Sequence, residues 1–442
     1  MNIFEPIRKE FTKLKLQTGL TIGALAIVLV GPCSASAGAV EDWNAIAVQA
    51  TLATCPVPIC VPAIPARPGP TGVLDIAMVQ AAVYDAVQAI EGQFKPYHVV
   101  IPGASGSPVA ATAKAAHDVL VSRFPWQAAF LDMTYHQYLA NHGGLAEDDP
   151  GVFVGAIAAA GIIDLRANDG SFPNPPPPNF TGGTDVGVWR PTPPAFAPMV
   201  TPWLGSVTPF TIKSSSQFRP KPPPALTSPE YTRDYNEVKA LGALNNSSRT
   251  FEQTDLAQFW AANYVVLWNQ VTRDISNAHV DDIGDSSRLF ALVDLAIADG
   301  VITAWNTKFA YVFWRPITAI QLGDNDPNPR TDGDPSWLPL IVTPAYPDYT
   351  SGANTLTGAA TRALSLYFGT DEMTFDVTTT NPGPTVVDKR TYNRFSDAAE
   401  DVVNARIYEG IHFRFADVEA RKSGKHVAQW AFSHFLRPLD DE

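Results

Sequence analysis

The stretch SSRLFALVDLAIADGVITAWNTKFAYV, residues 286–312, is the longest run of helical character in the chain. It leads directly into FWRP, residues 313–316, so that Lys308 and Arg315 stand seven residues apart among aromatics. Seven residues advance an ideal helix by about 700°, which would bring the two cations within roughly 20° of one another. Pro316 disfavours helix at the residue before it. Arg315 is therefore expected at a helix exit, reaching outward and not lying on a buried turn. Phe309, Tyr311, Val312, Phe313 and Trp314 leave little polar face there. Cations in such surroundings need a counter-charge or an anionic ligand; the alternative is a pair of solvated charges on a surface helix.

Working outward from this stretch, most of the chain reads as helix. Helical spacing of apolar residues marks 41–54, 72–92, 109–124, 127–139 and 151–167. Further segments follow at 228–241, 351–368, 393–411 and 413–436. Thr250-Phe-Glu-Gln253 is a capping-box pattern ahead of an apolar run to Leu267. Alternating strand patterns are short and scattered. The expected class is all-α, a helical bundle with long proline-rich loops. Residues 171–229 interrupt it, because Pro175–Pro178, Pro193-Pro194 and Pro222–Pro224 forbid regular helix. Trp189, Phe196, Trp203, Phe210 and Phe218 lie within this excursion and favour an ordered wrap over disorder. The expected organisation is one helical domain over 38–442, with residues 286–442 as the half that carries the site.

Bulk properties bound the function. With 442 residues, 45% hydrophobic and 17% charged, the chain is globular with a large core. Residues 1–37 read as an export signal. Arg8, Lys9, Lys13 and Lys15 precede the apolar run Leu20–Val30, and Ala35-Ser36-Ala37 is a cleavage site. The alternative is a membrane anchor; no later segment is apolar for long enough to cross a bilayer. The expected location is secreted or periplasmic. Removing the signal shifts the net charge from −13 to about −15. Such a surface argues against nucleic acid, and no stable membrane insertion is expected. The partner is a small-molecule substrate or an oxyanion. Cys55 and Cys60 could close a small disulfide loop in an oxidising compartment, or remain free thiols.

Two further clusters follow Lys308 and Arg315. Thr350-Ser351-Gly352-Ala353-Asn354 opens a helix, whose free N–H groups suit an oxyanion; Ser351 could equally be an ordinary N-cap. Arg406 precedes His412 by six residues, about 120° off on an ideal helix, so a break at Gly410 or a long reach of Arg406 is needed to join them. The acidic loop from Asp324 to Asp334 lacks the EF-hand glycine and glutamate, and no calcium is expected.

These clusters, in this order, resemble the vanadium haloperoxidase and type 2 phosphatidic acid phosphatase superfamily. That family's pattern is K-x6-RP, then PSGH, then SR-x5-H-x3-D. K-x6-RP is complete from Lys308 to Pro316, and R-x5-H from Arg406 to His412. Residues 42–47 and 81–87 look like secreted bacterial haloperoxidase-related proteins. The resemblance implies that Lys308, Arg315, Ser351, Gly352 and Arg406 hold the oxygens of vanadate or phosphate. It implies that His412 binds vanadium axially, or attacks phosphorus as the catalytic nucleophile. The implied activity is peroxide-driven halide oxidation by a vanadium-dependent oxidoreductase. Alternatives are an acid phosphatase with a histidine nucleophile, or a non-catalytic oxyanion-binding protein. The last arises because Ala353 occupies the place of the family's acid/base histidine, a role that contributes about 10²–10⁴-fold. Ala405 replaces the family serine. Asp417 falls one residue beyond the expected acid, where i+5 lies poorly under His412.

Overall fold

The computed structural model describes residues 38–52, 66–381 and 387–439. The expected export signal and the Cys55–Cys60 pair lie outside them. The described chain is all-α. Its helices are α1 Gly38–Thr51, α2 Gly72–Glu91, α3 Pro108–Arg123, α4 Ala128–Asn141, α5 Pro150–Arg166, α6 Pro229–Leu241 and α7 Phe251–Trp260. They continue with α8 Tyr264–His279, α9 Ile283–Tyr311, α10 Pro316–Gln321, α11 Gly352–Tyr367, α12 Phe395–Tyr408 and α13 Arg414–His434.

Helix α9 is the axis of the structure. It packs against α2, α11 and α13 and is buried along nearly its whole length. Leu289, Phe290, Leu292, Val293, Leu295, Ile297, Val301 and Ile302 are all at most 2% exposed. At roughly 1.5–3 kcal/mol for each such side chain, α9 contributes on the order of 10–20 kcal/mol of gross burial before entropy is set against it. By length and composition, Gly69–Glu91 and Ile283–Tyr311 could each cross a bilayer, contrary to the sequence expectation. Yet 89% and 94% of their apolar windows are buried inside the protein, so the core consumes that surface.

The proline-rich excursion is tied down by α9. Asp299, fully buried at mid-helix, accepts the backbone N–H groups of Phe210 (2.6 Å), Thr211 (2.7 Å) and Ile212 (3.0 Å), and the Thr211 hydroxyl (2.6 Å). Near the same helix end, Asn306 accepts from Arg219 and donates to the Gly205 carbonyl. Trp189 is fully buried and its backbone N–H donates to Val312 O at 2.7 Å. The segment thus satisfies part of its backbone through α9, beside its own turns and the short 3-10 turn Leu204–Ser206.

Two local differences from the sequence reading have clear causes. The apolar run after Thr250 divides into α7 and α8, because Asn263 caps a new helix, its Oδ1 accepting from Val265 N at 3.1 Å. The capping box itself forms, with Gln253 N to Thr250 Oγ1 at 3.2 Å and Thr250 N to Gln253 Oε1 at 2.9 Å. Ahead of α12, β1 Glu372–Thr378 and β2 Lys389–Arg394 pair antiparallel, with Phe375 opposite Tyr392. Met373, Phe375 and Val377 alternate as a half-buried strand requires. The strand is too short to stand out against the surrounding helical pattern.

Candidate oxyanion site

Lys308 lies in the last turn of α9 and is fully buried. The helix does not run on to Arg315. Val312 closes it in the left-handed conformation (φ 44°, ψ 40°), and Arg315 becomes the N-cap residue of α10, with Pro316 in the first turn. The seven-residue helical alignment therefore does not apply. Arg315 also does not reach outward: it is fully buried, because its guanidinium is taken up by the carbonyls of Pro344, Tyr346 and Ile411.

What joins the two cations is the segment Pro344–Asp348. Lys308 Nζ donates to the carbonyls of Pro347 (2.7 Å) and Asp348 (3.1 Å). Arg315 donates from Nε to Tyr346 O (2.7 Å) and from Nη2 to Pro344 O (3.3 Å). The Tyr346 ring lies 4.7 Å from both charged groups. An ammonium has three N–H donors and a guanidinium five. Each cation therefore keeps donor capacity after fastening this loop, whose far end delivers Ser351 to the start of α11.

Ser351 is the N-cap of α11, its hydroxyl accepting from Asn354 N at 3.4 Å. Gly352 has a packing reason of its own: a Cβ there would stand 2.9 Å from the Trp305 ring of α9. Ala353 follows, half-buried, with no polar group to offer.

Helix α12 ends at Tyr408, and Gly410 then takes φ 80°. A side chain at Gly410 would meet Gly242 O at 2.4 Å, so both the turn and the contact demand glycine. This break sends His412 back toward Arg315. Arg315 Nη1 lies 2.7 Å from Ile411 O and 3.1 Å from His412 Nε2. On its other side, His412 Nδ1 meets Asp348 Oδ1 at 2.7 Å. Burial together with the charges of Arg315, Lys308 and Arg406 pushes the imidazole well below the usual histidine range. Burial lifts Asp348 well above the carboxylate range, opposed by Arg315 and Lys308. A carboxylate partner on Nδ1 selects the tautomer whose Nε2 is the acceptor; Arg315 Nη1 meets that nitrogen here, and a proton or an electrophilic centre would take its place.

Arg406 pairs with Glu409 (2.7 Å, i,i+3), and its Nε is buried without a hydrogen-bond partner. Asp417 accepts from Asn354 Nδ2 at 2.8 Å and does not serve His412. Burial pushes Glu409 and Asp417 each up to about 7.

The structure thus places Lys308, Arg315, Ser351, Gly352 and His412 around one loop, with Arg406 on the helix leading to His412. Two residues that the sequence reading passed over are Asp348 and Glu409. Glu409 was legible as an i,i+3 partner of Arg406. Nothing in the sequence singles out Asp348, three residues before Ser351, as the group that orients His412. In the acidic loop, Asp324, Asp326 and Asp334 accept the backbone N–H groups of Gly333, Asn328 and Ser336 as turn caps.

The fold and the site define a class: an all-helical protein with a buried Lys/Arg/His cluster at its helix ends. Residues 288–441 match the family of the VCPO second helical-bundle domain. A 201-residue segment is 30% identical to the vanadium chloroperoxidase of Curvularia inaequalis, covering 38% of this chain and 32% of that one. The chain thus spans about a third of the length of this curated relative. A bacterial vanadium-dependent iodoperoxidase shares the fold with a TM-score of 0.76 at 22% identity, over 93% of this chain and 99% of that one. A holo-type bacterial vanadium-dependent chloroperoxidase does so with a TM-score of 0.65 at 18% identity, over 86% and 94%. Residues 288–441 are thus similar to the second helical-bundle domain of that family, and the described chain shares its fold with bacterial vanadium haloperoxidases.

Proposed function

We propose that this protein is a secreted vanadium haloperoxidase-like protein that binds vanadate, or phosphate as its structural analogue, between Lys308, Arg315, Arg406 and the Ser351-Gly352 turn. The observation that carries this reading is His412. A buried imidazole held at Nδ1 by a carboxylate, with Nε2 turned into a cluster of guanidinium and ammonium groups, is built to face an electron-poor centre surrounded by oxygens. The residues fit such a group in donor chemistry, since Arg406 Nε is a buried N–H without a partner and Lys308 retains a donor. Bound vanadate would supply a Lewis-acid centre for peroxide activation and halide oxidation. Lys308, Arg315 and Arg406 would neutralise the oxygens, and Asp348 would hold the imidazole in place.

Proton handling is reduced by comparison. Ala353 cannot exchange a proton, and neighbouring Asn354 is engaged with Asp417. We therefore expect anion binding to be retained more fully than turnover. The test uses the purified chain in three assays: vanadate binding by calorimetry, vanadate-dependent bromide oxidation with peroxide, and p-nitrophenyl phosphate hydrolysis. His412→Ala should weaken vanadate binding by at least tenfold. Unchanged affinity in that variant would remove the site from consideration. Phosphatase activity lost with His412 and without any peroxidase activity would assign the histidine a nucleophilic role instead.

A further inference from the structure

The three cations of the site face three carboxylates. Asp348 Oδ1 lies 3.7 Å from Arg315, Glu409 Oε2 lies 2.7 Å from Arg406, and Asp417 is held beside the α11 start by Asn354. All six groups are buried. One oxygen of Asp348, one of Asp417 and both of Glu409 are buried without a hydrogen-bond donor, Glu409 facing Arg406 as an ion pair. Such orphaned acceptors are costly, and they show where the site is already rich in negative charge. Asp348 has a task, the orientation of His412. Glu409 has only Arg406, and it engages one of the guanidinium nitrogens that an oxyanion would use.

Building on the oxyanion reading above, we propose that Glu409 is an internal counter-anion that makes the pocket select singly charged tetrahedral oxyanions over doubly charged ones. The physical reason is the charge product. An incoming anion meets three cations and three nearby carboxylates, so its attraction to the site is largely cancelled. Each further negative charge on the ligand multiplies its repulsion from Glu409. A dianion suffers twice the penalty of a monoanion of the same shape. Glu409 thus sets specificity without touching the reacting atoms, and the class it favours is a monoanionic tetrahedral oxyanion.

Perrhenate and tungstate are tetrahedral oxyanions of nearly the same size that carry one and two negative charges, so they isolate this term. Their binding to wild type and to Glu409→Gln is measured by calorimetry at pH 8, above the point at which Glu409 ionises. Wild type should prefer perrhenate. The E409Q variant should gain about tenfold for perrhenate and about a hundredfold for tungstate, because the electrostatic free energy doubles with ligand charge. Asp417→Asn, which keeps an acceptor for Asn354, should show the same ordering and serves if E409Q folds poorly. Equal gains for the two anions, or no gain where wild type binds both, would overturn the assignment and leave the oxyanion pocket standing. Absence of binding of either anion to all three proteins would remove the pocket reading itself.

Discussion

Replacing Asp348 by alanine should be among the most damaging single changes in the site, and its cost can be worked from the geometry. Asp348 takes His412 Nδ1 at 2.7 Å and stands 3.7 Å from Arg315 Nη1, and all three side chains are at most 1% exposed. At an effective dielectric constant of about 20, a unit charge pair at that separation interacts by roughly 4 kcal/mol. Removing one partner of a buried pair costs about 3–5 kcal/mol, because the other is left uncompensated. The orphaned Nδ1–H adds a lost hydrogen bond, and relaxation of Arg315 against its carbonyl partners offsets part of the total. We expect D348A to lose about 4 kcal/mol in urea unfolding at pH 7.5, seen as a lower midpoint at unchanged slope. D348N keeps an acceptor for the imidazole and should recover about 1–2 kcal/mol of that loss. A D348A variant within 1 kcal/mol of wild type, or one no worse than D348N, would show that the carboxylate does not organise His412.

Three further outcomes follow from the same reasoning. Glu409 has a folded-state pKa of about 7, raised by burial above its ordinary 4.5. Its contribution to stability is therefore fully present below pH 4.5 and lost as pH rises through 7, so the folding stability of wild type relative to E409Q should fall by about 3 kcal/mol between pH 4.5 and 8; a flat difference would contradict the burial of that carboxylate. Asp299→Ala leaves three buried N–H groups of residues 210–212 without an acceptor and should cost at least about 3 kcal/mol, with limited proteolysis then cutting first within 171–229. Gly410→Ala forces a side chain into a left-handed turn against Gly242 O. It should lower the melting temperature and weaken vanadate binding together, whereas loss of stability with intact binding would mean that His412 is positioned by something other than this turn.

The pattern of legible and illegible features follows the range of the forces involved. Helix periodicity, the capping box at Thr250 and the glycine break at Gly410 are local, and each could be read from a few neighbouring residues. The short strand Glu372–Thr378 carried its alternation openly, yet it acquires meaning only when β2 pairs with it. The burial of Arg315 is not legible in the local sequence, because the carbonyls that take its guanidinium lie at Pro344, Tyr346 and Ile411.

The sequence by itself determined the helical class, the identity of the cations and the histidine, and the alanine that stands where an acid/base would be needed, since these rest on residue type and on spacing within a few turns. Tertiary structure alone decided that Lys308 and Arg315 meet across the Pro344–Asp348 loop, that Asp348 holds His412, and that the cluster's charges are balanced from within. The first two of those facts depend on contacts between residues 29 to 64 positions apart. In a buried site the balance of charge is set by which groups are brought together after water has been excluded, and chain order carries no record of that.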